Sequence, residues 1–102
     1  GAAFRSRARV KADDFRWTQG VELVTYYESS PGNHRGFCRM CGSPLLSRFD
    51  NDPRSYGLPL GCLDDDPGIK PGFHVFVASK APWYDISDEL PQFAKLPPRK
   101  AP

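Results

Sequence analysis

Two cysteines separated by two residues and followed by a glycine constrain this chain more than any other feature: Cys38 and Cys41 stand before Gly42. In zinc knuckles this spacing lets both sulfurs point at one tetrahedral ion, and the glycine relieves crowding where the backbone folds back beneath the metal. A pair of buried reduced thiols is the alternative. Because structural zinc takes four ligands, the pair predicts half of a metal site.

The other candidate ligands are one cysteine, Cys62, and two histidines, His34 and His74. Closure of the site by either histidine stays open, although His34 precedes the pair on a predicted turn, where a solvated histidine is more common. We expect Cys62, in a predicted strand, to be a buried and unreactive thiol. The acidic run 64–66, followed by proline and glycine, is typical of a solvated turn, with a hard-cation site as the alternative.

Length and composition favour one small β domain. The 102 residues are 39% apolar and include 11 prolines and 9 glycines, which favours short strands broken by turns over long helices. No apolar run approaches the roughly 18 residues of a membrane span, so no membrane partner is expected. An odd number of cysteines, two of them spaced as ligands, fits a reducing compartment, and the predicted location is cytoplasmic.

Alternation of apolar and polar residues predicts the strands. Residues 4–11 and 21–28 are expected to pair as a hairpin, with Phe15 and Trp17 between them dropping back onto the core. Further strands are predicted at 45–49, 55–63 and 74–79, the last of them buried. One face of the first strand is basic, with Arg5, Arg7, Arg9 and Lys11 alternating with residues of the core face.

Four separated blocks resemble one known family, the glutathione-dependent formaldehyde-activating enzymes, whose domain also occurs in centromere protein V. The blocks are residues 29–32, the run Arg35-x-Phe37-Cys38-x-x-Cys41-Gly42-Ser43-x-Leu45, the run Leu63-Asp64-Asp65, and residues 74–84. They occur in the family's order and cover nearly all of the chain, but only the later two-thirds of the family domain. Family members carry a Cys-x-Cys pair and a Cys-x-Cys-x-x-Cys triplet before a segment like residues 1–4, and neither is in this sequence.

The resemblance implies an all-β fold of tent-like antiparallel sheets with no long helix, as in methionine-R-sulfoxide reductases. Length and composition predict a single β domain, assigned to residues 1–92, and the prolines at 91, 97 and 98 predict an extended proline-rich tail over 93–102. The implied activity is that of a zinc-dependent carbon–sulfur lyase that joins formaldehyde to glutathione or acts on another thiol adduct. In the family the knuckle closes a structural four-sulfur zinc site with the earlier Cys-x-Cys, and this role carries over to Cys38 and Cys41 alone. The catalytic zinc belongs to the triplet, so no catalytic residue is expected here.

Two residues are expected to bind the substrate, glutathione or a related thiol adduct. Arg5 offers a guanidinium that grips a carboxylate, and Trp83 is either the wall of a substrate pocket or a plug in the core. Two other interpretations of the basic strand face stay open. Its charges pair with Glu22 and Glu28 across the hairpin, or they track the phosphates of a nucleic acid. The alternative function is therefore a non-enzymatic, zinc-stabilised binding module for nucleic acid, with a homo-oligomer as an open question.

Overall fold

The computed structural model describes residues 2–98, which divide into two compact units. Arg5–Pro67 forms one unit, and residues 2–4 with 68–98 form the other, so each is described by itself. Within the described residues no helix is both long and apolar enough to pass through a membrane. Helical structure there is limited to 3-10 turns of three residues. The last part of the predicted proline-rich tail, residues 99–102, lies outside the described residues.

Five strands of the first unit form one antiparallel sheet, which confirms the predicted all-β class. The strands are β1 Arg7–Lys11, β2 Val24–Ser30, β3 Asn33–Cys38, β4 Pro44–Phe49 and β5 Ser55–Pro59. Their order across the sheet is β1-β5-β4-β3-β2. The run β2 to β5 is therefore a meander of neighbouring strands, and β1 joins it beside the last of them.

The predicted hairpin between the first two strands is wrong, because β1 and β2 lie at opposite edges of the sheet. β1 pairs with β5, with Val10 opposite Tyr56. Hairpin loops are usually two to five residues long, whereas residues 12–23 include two separate 3-10 turns. Phe15 from this connection packs edge-on against Tyr56, with ring centroids 5.4 Å apart, so the connection is used for packing instead of a tight reversal.

The register of the sheet defines two faces. Directly opposed residues from β1 to β2 on one face are Val10, Tyr56, Arg48, His34 and Glu28. The row beside it, on the other face, runs Arg9, Gly57, Ser47, Arg35 and Tyr27. The predicted alternation of β1 is confirmed, since its arginines are exposed and its apolar residues are half-buried.

The best-buried part of the sheet lies where β3 and β4 meet. Leu46 is 2% exposed and Ser47 is 1% exposed. Gly36 lies directly opposite both Leu46 and Tyr26. A Cβ at Gly36 would lie 2.8 Å from Leu46 Cδ2 and 2.8 Å from Tyr26 Cε1, so only glycine lets these two side chains approach each other over β3.

Backbone hydrogen bonds join two segments of the second unit. The His74 amide donates to the Pro91 carbonyl at 2.8 Å, and the Phe93 amide donates to the His74 carbonyl at 2.9 Å. The predicted buried strand 74–79 is wrong: the structure has an isolated bridge at His74 and a 3-10 turn over Val77–Ser79. Phe76 adopts a left-handed conformation with φ of 56°, which ends the extended backbone.

The packing over β3 predicts which apolar substitution destabilises the sheet most. Leu46→Ala should lower the free energy of unfolding by about 2–5 kcal/mol, because the side chain is enclosed and its removal leaves a cavity. Leu63→Ala is the matched control, since Leu63 is 39% exposed and loses little buried area. Urea unfolding of both variants measures the difference. Equal losses would mean that the sheet is not organised around Leu46.

Candidate functional site

The segment between β3 and β4 has the backbone of a metal knuckle. The Gly42 amide donates to the Cys38 carbonyl at 2.7 Å, and the Cys38 amide donates to the Ser43 carbonyl at 2.9 Å. Gly42 has a φ of 77°, a left-handed conformation that favours glycine. This turn brings Cys38 and Cys41 to the same end of the β3–β4 hairpin, with Cys38 half-buried and Cys41 exposed.

The Cys41 side chain has two hydrogen-bonding neighbours within the knuckle. Its Sγ lies 3.3 Å from Ser43 Oγ, and hydrogen bonds with Ser43 and with Cys38 lower the pKa of Cys41 below its ordinary value. Thiolates are the form in which cysteines bind zinc. Within residues 2–98, no third histidine, cysteine, aspartate or glutamate lies close enough to complete a ligand group with the pair. The described residues thus fit two of the four positions of a structural zinc site.

The remaining sulfur and imidazole candidates lie elsewhere. Cys62 ends the 3-10 turn Leu60–Cys62 and is exposed, so the expectation of a buried strand thiol is wrong. The observed strand is shorter than the predicted 55–63, because β5 ends at Pro59, which cannot donate a ladder hydrogen bond. His74 belongs to the second unit, where its Nε2 lies 3.0 Å from Asp88. Hydrogen bonding to His74 lowers the pKa of Asp88.

Four arginines form what we call the arginine face: Arg5, Arg7, Arg9 and Arg35. Partial burial lowers the pKa of Arg7, and the neighbouring positive charges of the other three lower it further. Burial and the charge of Arg35 have the same effect on Arg5. Gly57 makes room for this crowding, because a Cβ there would lie 2.8 Å from Arg7 Cδ. A cluster of cations at close range is a place where an anion is strongly favoured.

Two members of the arginine face already have partners. Arg9 donates to Asp52 Oδ2 at 3.0 Å, and its guanidinium carbon lies 5.0 Å from the centre of the Phe49 ring. Arg7 lies 5.4 Å from the same ring. The predicted pairing of these charges with Glu22 and Glu28 is therefore wrong, because β1 does not neighbour β2.

The other two members, Arg5 and Arg35, line a cavity of about 390 Å³. Arg35 Nε donates to Ser29 Oγ at 2.9 Å, which orients the guanidinium and leaves its terminal amino groups for a ligand. Among the described residues, no carboxylate forms a salt bridge with either arginine. The rest of the wall comes from β2 to β4 and from the knuckle: Tyr27, Gly36, Phe37, Gly42, Pro44 and Leu46.

A second polar group lies on the opposite face of the sheet, at the tip of the β2–β3 hairpin. It consists of Glu28, His34 and Asp50, whose ligand atoms lie within 4.8 Å of one another. His34 Nε2 is 2.9 Å from Asp50 Oδ1 and 3.7 Å from Glu28 Oε2. Imidazole and carboxylates are metal ligands, so this group offers a metal-binding set that is separate from the knuckle.

Trp83 belongs to the second unit and is 73% exposed, so it is not a core plug. The segment before it is fixed by Lys80, whose Nζ donates to the carbonyls of Ala81 and Tyr84. Its place as a substrate-pocket wall stays a prediction.

Known proteins bear out the resemblance. The sequence profile described as "Glutathione-dependent formaldehyde-activating enzyme" matches residues 1–79. The chain belongs to this glutathione-dependent formaldehyde-activating family. A crystal structure of a Rhodobacter sphaeroides protein is also similar, with 27% identity and a TM-score of 0.52. The similarity covers 64% of this chain and 58% of that one, so the chain spans little more than half of that protein. No curated protein matches the chain.

The sequence predicted Arg5 as a substrate-binding residue. It did not identify Arg35 and Tyr27, which line the same cavity. Arg35 was visible as the first residue of the Arg-x-Phe-Cys block, and the alternation of β3 places it on the face opposite Gly36. The Glu28–His34–Asp50 group carried no local signal, because Asp50 comes from the end of another strand.

The lowered pKa of Cys41 predicts its reactivity in metal-free protein. Because the thiolate is the nucleophile, alkylation of Cys41 should reach half its maximal rate at a lower pH than in an ordinary cysteine. Ser43→Ala removes the main hydrogen-bond partner and should shift this midpoint to higher pH. Iodoacetamide labelling followed by peptide mass spectrometry measures the profile. Ser87→Ala, in the other unit, is the control, and an identical midpoint in both variants would contradict the assignment.

Proposed function

We propose that this chain carries the substrate-binding side of a zinc-dependent carbon–sulfur lyase that joins formaldehyde to glutathione or acts on a related thiol adduct. The observation that carries the proposal is the cavity lined by Arg5 and Arg35, neither of which forms a salt bridge with a carboxylate of the described residues. Membership of the family supports glutathione as the ligand. Guanidinium groups bind carboxylates through two parallel hydrogen bonds, and glutathione has two carboxylates.

The cavity has the size and the lining that such a ligand needs. Its volume of about 390 Å³ lies within the range of small-molecule sites, roughly 300–1,000 Å³. Tyr27 and Phe37 supply apolar and aromatic surface beside the two arginines. In our proposal the arginines bind carboxylate groups of the thiol ligand, and the aromatic side chains shield the rest of the ligand from water. Orientation of this kind lowers the barrier of a reaction between two bound groups.

Zinc enters this proposal through the knuckle. Cys38 and Cys41 would hold a structural ion together with two ligands that residues 2–98 do not supply, and such a closed site contributes folding energy. A catalytic zinc, when bound, supplies thiol activation, and none of the roles assigned here depends on its position. Gly42 and Pro44 of the knuckle also line the cavity, so an ordered knuckle helps to shape the substrate site.

The alternative function, a binding module that tracks phosphates, has less support. Phosphate tracking along β1 needs a row of accessible cations, whereas Arg9 is paired with Asp52 and both Arg7 and Arg9 lie over the Phe49 ring. Arg5 and Arg35, which form no salt bridge with a carboxylate of the described residues, share one cavity. This arrangement favours a small anionic ligand over a polymer.

Substitution of the cavity arginine should weaken glutathione binding. Arg35→Gln is expected to raise the dissociation constant about tenfold, because it removes a charge-assisted pair with a carboxylate. Isothermal titration calorimetry measures the affinity.

The control is Arg16→Gln, which removes one exposed positive charge outside the cavity. Similar affinities for the two variants would reject the assignment. Salt dependence separates the two functions: a carboxylate contact loses little affinity with salt, whereas a single-stranded oligonucleotide bound with a log–log slope of about −2 or steeper would favour the binding module.

The zinc proposal is tested separately. Cys38→Ser should lower the zinc content of the purified protein and its melting temperature together, because a structural ion stabilises by binding only the folded chain. Cys62→Ser is the matched control, since Cys62 lies outside the knuckle and is exposed. Metal analysis by mass spectrometry and thermal unfolding supply the readouts. If Cys38→Ser left both the zinc content and the melting temperature unchanged, the knuckle would not hold a structural zinc ion.

A further inference from the structure

The tip of the β2–β3 hairpin is built around one two-residue turn. Ser30 pairs with Asn33, so Pro31 and Gly32 form the whole loop, and Gly32 has a φ of 78°. Proline followed by a residue of positive φ is the sequence of a type II turn. Both backbone groups of Gly32 are used: its amide donates to Glu28 Oε2 at 3.2 Å, and its carbonyl accepts from the Asp50 amide at 2.9 Å.

This turn brings two carboxylates to one imidazole. Glu28 lies directly opposite His34 in the sheet, and Asp50 follows the end of β4. His34 Nε2 lies 2.9 Å from Asp50 Oδ1 and 3.7 Å from Glu28 Oε2. Ligand atoms about 2.0–2.2 Å from one metal ion lie about 3.0–3.5 Å apart, so the three side chains need only small adjustments to share an ion.

The surroundings leave room for further ligands. His34 and Asp50 line a cavity of about 460 Å³, which also contacts Arg48 and Tyr56. Arg48 lies directly opposite His34 in the sheet, and its guanidinium carbon is 4.0 Å from the centre of the Tyr26 ring. The positive charge is thus engaged with an aromatic ring, and two carboxylates outnumber it at the site.

We propose that Glu28, His34 and Asp50 form a binding site for a divalent first-row transition cation, independent of the knuckle and of the thiol-binding cavity. The protein supplies one nitrogen and two oxygen ligands, and the adjoining cavity supplies space for water at the remaining positions. Such a ligand set suits ions that accept imidazole and carboxylate, in contrast to the soft thiolates of Cys38 and Cys41. The ion would tie β2, β3 and the end of β4 together at one point.

Mn²⁺ is the probe that separates the two kinds of site, because it prefers oxygen ligands and competes poorly for thiolates. Titration of the full chain with Mn²⁺ alone, followed by electron paramagnetic resonance of the free ion, should give one saturable site. Glu28→Gln and Asp50→Asn each keep a hydrogen-bond acceptor and should weaken binding by at least about tenfold, since even loss of a ligand's supporting partner costs that much. Asp65→Asn, which removes one carboxylate of the acidic run 64–66, should leave it unaltered.

A second measurement does not depend on the variants. In NMR spectra of the wild-type chain, substoichiometric Mn²⁺ should broaden the His34 imidazole signals and the Gly32 amide first. Broadening centred on the acidic run 64–66 would overturn the proposal. Absence of binding at millimolar Mn²⁺, or equal affinity in Asp50→Asn and Asp65→Asn, would also overturn it.

Discussion

The close approach of Tyr26 and Leu46 over Gly36 is the contact on which the register of the sheet depends. A side chain at this position would force Leu46 or Tyr26 to move, because a Cβ would lie 2.8 Å from an atom of each of them. Leu46 is the best-buried apolar side chain of the described residues, and Tyr26 in turn carries the guanidinium of Arg48. Once Gly36 is fixed between β2 and β4, the side chains before it on β3 are fixed as well.

Fixing β3 assigns opposite chemistry to the two faces. Arg35 joins the arginine face, and its neighbour His34 joins the carboxylates at the hairpin tip. The arginine face needs small residues beneath it, which Ser47 and Gly57 provide. The guanidinium groups of Arg5, Arg7, Arg9 and Arg35 are therefore separated from the carboxylates of Glu28 and Asp50 by the thickness of one sheet.

The sequence allowed prediction of those features that depend on neighbours in the chain. The alternation of β1, the turn at Gly42 and the family itself followed from local patterns of residues. The partner of β1 did not, because strand pairing depends on residues far apart, and the two edge strands of the sheet had been expected to pair. The apolar run at 74–79 also gave no strand, since periodicity alone does not report the left-handed conformation of Phe76.

Residues of the candidate site were likewise predictable only where the signal was local in the sequence. Arg5 was recognisable as one of a row of cations, but its neighbour Arg35 comes from the other side of the meander, three strands away across the sheet. Cys62 was misjudged because its environment depends on where β5 ends. Knowledge of the family supplied an expected substrate, whereas only the fold shows which two arginines share a cavity.

The alternation of charge along β3 has a consequence for how the chain reaches this fold. A slip of β3 by one residue would place the Arg35 guanidinium opposite the Glu28 carboxylate, in place of the His34 imidazole that lies 3.7 Å from it in the native pairing. Electrostatic attraction alone would therefore favour this misaligned pairing of β2 and β3 during folding. The Pro31–Gly32 loop alone does not prevent it, because a regular ladder from the Ser30–Asn33 pair would set Glu28 opposite Arg35. The bulge between Glu28 and Ser30 is what pairs Glu28 with His34. The bulge thus keeps the Arg35 guanidinium and the Glu28 carboxylate on opposite faces of the sheet.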